Sequence, residues 1–100
     1  MNITIDQFVI GLETSLLELP LVLGDWENLE DELRAEYEDN FIWLLQNRQE
    51  VLLMAMKEER FTDIAHRLIV AQKAIEKMKI EIMNKMKITE DELTIHKNGI

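Results

Sequence analysis

Between residues 64 and 82 apolar side chains recur at gaps of four, three, four, three and four: Ile64, Leu68, Ala71, Ile75, Met78 and Ile82. This is the heptad rhythm of a helix that lays one seam against its neighbours with knobs in holes. A strand would scatter the same residues over both of its faces. The rest of the chain agrees, since three glycines and one proline in 100 residues are too few for the positive-φ turns of a sheet protein. An apolar share of 47% is enough for a core. The expected class is all-α, with residues 1–100 as a single helical domain.

Four helices are expected. Thr4 and Gln7 have capping-box spacing, with Ile3 and Phe8 as a hydrophobic staple. Ile5, Phe8, Val9, Leu12, Leu16 and Leu19 then line one face, and Pro20 disfavours helical geometry at Leu19, so this helix is expected over 5–19. Leu21 to Gly24 read as an apolar connector, after which Asp25 or Asn28 caps the next helix. That helix is expected over 26–59, with any kink at Glu38-Asp39-Asn40. Arg60-Phe61 is read as a tight corner and Thr62 as the cap of a helix over 63–87. Thr89 with Glu92 repeats the capping box, and Ile88 with Leu93 the staple, for a last short helix over 90–97. A short corner makes the two long helices an antiparallel hairpin. The hairpin would lay the basic end (Lys77, Lys79, Lys85, Lys87) beside the acidic start of the helix at 26–59.

Residues 41–45 and 51–56 are apolar on every side, and such a helix needs cover on every side. Phe41, Ile42, Trp43, Leu45, Leu52, Leu53 and Met56 are therefore read as an interface, completed by a second copy in a homodimer with a four-helix arrangement. Charge is divided as unevenly as apolarity. Residues 1–47 hold eleven acids against Arg34 alone, whereas residues 48–100 hold nine acids and ten bases. The exposed acids Glu27, Glu30, Asp31, Glu32, Glu36 and Asp39 form a candidate face for a basic partner. The same acidity argues against nucleic acid. No cysteine is present, which removes thiol chemistry and cysteine-ligated zinc and suits a reducing compartment. The start of the chain lacks the basic and apolar regions of a secretory signal, and the apolar tract from Leu16 to Leu23 is broken by Glu18 and Pro20. A cytoplasmic location, with no membrane contact, is the expectation.

Catalytic constellations are sparse. Arg60 and His66 stand in an Arg-x5-His spacing that resembles the signature of the HEPN family of helical ribonucleases. The resemblance covers that element and general helicity only. It implies an arginine holding the RNA phosphate and a histidine moving protons near the 2′-hydroxyl. The acidic first half of the chain departs from what RNA binding asks. Asp63 and His66, three apart, could share a metal ion, but a helical di-iron centre needs two carboxylate–histidine pairs and further carboxylates. Glu36 and Asp39 are similar to the Glu-x-x-Asp of all-helical nucleotide pyrophosphatases, yet the paired-glutamate element upstream is missing. No glycine-rich phosphate loop and no nucleophile elbow is present. The six methionines and two tryptophans suit a core at helical spacing. The reading is a small acidic interaction module (adaptor, regulatory subunit or self-associating protein) without cofactor or metal, the alternative being a HEPN-like ribonuclease using Arg60 and His66.

Overall fold

A computed structural model describes residues 4–93 of the chain. Those residues are all-α: α1 (Ile5–Gly24), a single 3-10 turn (Trp26–Asn28), α2 (Asp31–Gln46), α3 (Arg48–Lys57), α4 (Phe61–Lys85) and the one-turn α5 (Glu90–Leu93). No strand occurs among them.

The cap signals are realised as spaced. Thr4 Oγ1 accepts the Gln7 amide at 3.1 Å while Gln7 Oε1 accepts the Thr4 amide at 2.9 Å. The Thr89–Glu92 box forms the same two bonds, at 3.3 and 3.0 Å, over a staple of buried Ile88 and Leu93. Ile3, the partner expected for Phe8, and residues 94–97 of the last helix lie outside the described residues.

Four expectations need correction. First, α1 does not stop at Leu19 but runs through Pro20 to Gly24. Leu23 is wholly buried, and that tertiary gain offsets the hydrogen bond that Pro20 cannot donate. The expected connector at 21–24 is therefore helix. Second, the helix expected over 26–59 is divided: a 3-10 turn, then Leu29-Glu30, separate Trp26–Asn28 from α2. Asp25 does not cap; its carboxylate accepts from the Asn28 side chain at 2.9 Å. Third, the chain is continuous helix through Glu38-Asp39-Asn40 and breaks instead at Asn47. There the Asn47 side-chain amide donates to the Trp43 carbonyl at 2.8 Å, beside the 3.2 Å bond from the Asn47 backbone amide to the same oxygen, so the side chain competes with the helical ladder. Fourth, Thr62 caps nothing, because α4 already begins at Phe61.

The corner before α4 is a Schellman turn. Arg60 N–H donates to Ala55 O at 2.8 Å and Glu59 N–H to Met56 O at 3.3 Å, with Glu59 at φ 58°, in the left-handed position that glycine usually fills. The hairpin expected over 26–87 is thus not one pair of long rods.

The centre of the molecule is α4, which packs against α1, α3 and α5. Its seam is the one the spacing predicts: Ile64, Leu68, Ala71, Ile75 and Ile82 are buried and Met78 is half-buried. Beside it α1 runs parallel. Asp6 meets Arg60 and Glu13 meets Arg67, seven residues further on in both helices, and Lys85 Nζ reaches the Leu23 carbonyl at 2.7 Å. α2 lies against α1 and α5, with the Phe8 and Trp43 rings 5.9 Å apart. Ile5, Phe8, Val9, Leu12, Leu16, Leu19 and Leu23 turn one side of α1 into the shared core.

Candidate interaction surfaces

The residues read as an interface are divided by this packing. Phe41, Leu45 and Leu52 are buried and Ile42 is partly buried. Phe41, Leu45 and Leu52 belong to the chain's own core, which α1, α4 and α5 complete. Trp43, Leu53 and Met56 remain exposed, at 42%, 49% and 54%. The break at Asn47 lets α2 and α3 find different neighbours, so one copy shelters most of the stretch from 41 to 56.

Glu27, Glu30, Asp31, Glu32, Glu36 and Asp39 are all exposed. Asp31 pairs with Arg34, and Glu27 stands 3.6 Å from Lys85, a contact between the start of this acidic segment and the basic end of α4. Lys79 pairs with Glu90 of α5 instead. That hydrogen bond raises the Lys79 pKa and lowers that of Glu90.

Arg60 and His66 are not joined by the structure. Arg60 donates to both carboxylate oxygens of Asp6 at 2.9 Å and to Asp63 at 3.0 Å. These bonds raise its own pKa and hold the Asp6 carboxyl below the usual range. His66 is exposed, and at 100° per residue it lies well round the helix from Arg60. Asp63, the possible metal partner of His66, is the carboxylate Arg60 has taken. No group of three or more metal-ligating side chains occurs among the described residues; His96 lies outside them. Glu36 and Asp39 are solvent-facing.

Three features were not read from the sequence. Arg48, at 6% exposure, is a buried cation whose Nη2 donates to the Glu92 carbonyl at 3.3 Å. Burial lowers its pKa to about 10, which leaves it protonated at neutral pH. With Gln72, which donates to the Leu93 carbonyl at 2.8 Å, it ties α5 to α3 and α4. A cleft of about 160 Å³ opens between α1 and α2, with Leu19, Val22, Phe41 and Met86 as its apolar wall and Ser15, Glu18, Tyr37 and Asn40 as its polar one.

The third feature is the largest. On the side of α1 away from the core, Gln7, Ile10, Thr14, Leu17, Leu21 and Gly24 are all exposed, Leu17 at 80% and Leu21 at 79%. Their gaps of three, four, three, four and three make a second heptad stripe on a helix whose first is buried. The signal was present in the sequence but was masked by reading Pro20 as a stop, which assigned Leu21 to a loop. With both stripes α1 is long and apolar enough, by length and composition, to cross a membrane. Here, however, it forms one wall of the core.

No protein family, no curated protein and no solved structure matches this chain.

Proposed function

We propose that this chain is a small acidic protein–protein interaction module, a helical bundle completed by association rather than an enzyme. The observation that carries the reading is the outer stripe of α1, where Ile10, Leu17 and Leu21 stand more than half exposed on a regular helix. Contiguous apolar surface of this kind lowers its free energy when covered. The acidic face along α2 gives such a module a second, electrostatic handle for a basic partner. It also repels phosphate backbones, which supports a role without nucleic acid. A lipid surface suits α1 poorly, because the helix carries Asp6, Glu13 and Glu18 and no lysine or arginine, whereas interfacial helices flank their apolar side with cations. The ribonuclease alternative would need Arg60 to leave two carboxylates before it could hold a phosphate.

Capture from native lysate tests the reading. Wild-type protein on a support is expected to retain a defined partner, or a second copy of itself, that a Leu17→Glu, Leu21→Glu variant loses while keeping its helical circular dichroism. Equal capture by both proteins, or RNA cleavage abolished by His66→Ala, would speak for another function.

A further inference from the structure

The outer stripe of α1 does not stand alone. On α4, parallel and adjacent to it, His66, Val70, Lys73, Lys77, Ile80 and Asn84 recur at gaps of four, three, four, three and four, and all are exposed. The two helices thus form a layer whose inner side is the core and whose outer side is a pair of parallel heptad stripes. Ile10, Leu17 and Leu21 on α1 and Val70 and Ile80 on α4 leave large apolar side chains exposed along both ridges, surface whose free energy falls when it is covered. One α1 stripe over another would set Glu13 and Glu18 among like charges. An α1 stripe over an α4 stripe brings opposite charges together: Glu18 flanks the first, and Lys73 and Lys77 lie within the second, whose margins also carry Glu76 and Glu81.

We infer that the outer face of the α1–α4 layer is the contact between two copies of this chain, with α1 of each copy lying on α4 of the other. This rests on the interaction reading above and names its occupant. A twofold axis running along the helices produces the exchange, because it reverses left and right while keeping the helix direction. Leu17 and Leu21 of one copy then meet the Val70–Lys77 segment of its partner, and Glu18 comes within reach of the partner's Lys73 and Lys77. The face is large enough. A 20-residue α1 at ~1.5 Å per residue, beside a second helix in a layer about 20 Å wide, offers about 600 Å² per copy, or about 1,200 Å² in all, the lower end of specific interfaces.

Sedimentation velocity on the full chain, from low to high micromolar concentration, tests the contact. Wild type is expected to pass from monomer to dimer, and Leu17→Glu to remain monomeric. Glu18→Lys should weaken the dimer about tenfold, and so should the Lys73→Glu, Lys77→Glu pair. Joining all three reversals in one chain should restore most of the affinity, a coupling that loss of folding cannot imitate. Leu53→Glu, on an exposed side chain outside the layer, should leave the dimer unchanged. A wild-type protein that stays monomeric throughout overturns the inference, as does Glu18→Lys tightening the dimer or a triple reversal without rescue. If wild type is monomeric while the Leu17→Glu, Leu21→Glu variant still loses its captured partner, only the self-contact fails and the interaction reading stands.

Discussion

Among the described residues Arg48 is the charged side chain that folding takes out of water, and a buried cation persists only where hydrogen bonds and packing offset its desolvation. Its side chain is buried at the start of α3, and its head holds a carbonyl of α5. Truncation to alanine removes both and should cost about 2–3 kcal/mol. Arg48→Met keeps the volume and sheds the desolvation, so it should stay within about 1 kcal/mol of wild type; urea unfolding measures both. Nothing in the sequence marked Arg48, because one arginine after Asn47 looks like any solvated cation until the break in the helix decides where it points. Asp6 is the opposite case, an exposed acid in a first turn whose partner is 54 residues away. Arg60 lowers its pKa, so its contribution to stability is present above the ordinary carboxylate value of about 3.9 and is lost as pH falls through the lower, folded value. Glu90, lowered by Lys79, behaves alike. Thermal melts between neutral pH and pH ~3 should therefore show a smaller loss of Tm in Asp6→Asn than in wild type.

At the scale of elements, the signals that proved legible are those in which a side chain acts on its own few neighbours. Both capping boxes are formed, and the stripe from Ile64 to Ile82 is the buried seam of α4. Where local preference and tertiary packing pull apart, packing prevails, and the sequence reading fails at those points. Pro20 is the clearest instance: Leu19 and Leu23 on either side of it are buried, so the helix continues and the Leu16 carbonyl forgoes its usual donor. Because Pro20 is exposed, Pro20→Ala should stabilise the protein by about 1–3 kcal/mol. A loss of stability instead would contradict a continuous α1. At residues 58–60 the corner carries no glycine, since Glu59 occupies the left-handed site, and the Schellman turn was hidden for that reason. At Asn47 the side chain joins its own backbone amide on the Trp43 carbonyl, a preference for caps and turns that this lone asparagine shares with the three cap-forming residues at 38–40.

The whole molecule is an elongated body of 44 × 26 × 18 Å in which α4 is central and α1 is its parallel neighbour. The all-α class was readable because periodicity survives any error in boundaries; the parallel pairing of α1 with α4 was not, because it lies in the packing of two buried seams far apart in the chain. A helix apolar all round demands cover, and for residues 41–56 α1, α4 and α5 provide part of it within one copy, leaving Trp43, Leu53 and Met56 exposed. The same demand is stronger for Ile10, Leu17 and Leu21 of α1, which nothing among the described residues covers. The account therefore turns on whether that stripe stays wet in solution. Methyl NMR of Leu17 and Leu21 with a soluble paramagnetic chelate, at dilute and at concentrated protein, measures this directly. The account predicts that their relaxation enhancement falls with concentration while that of the Leu53 methyls does not; an enhancement at Leu17 and Leu21 that is equal at every concentration would contradict it.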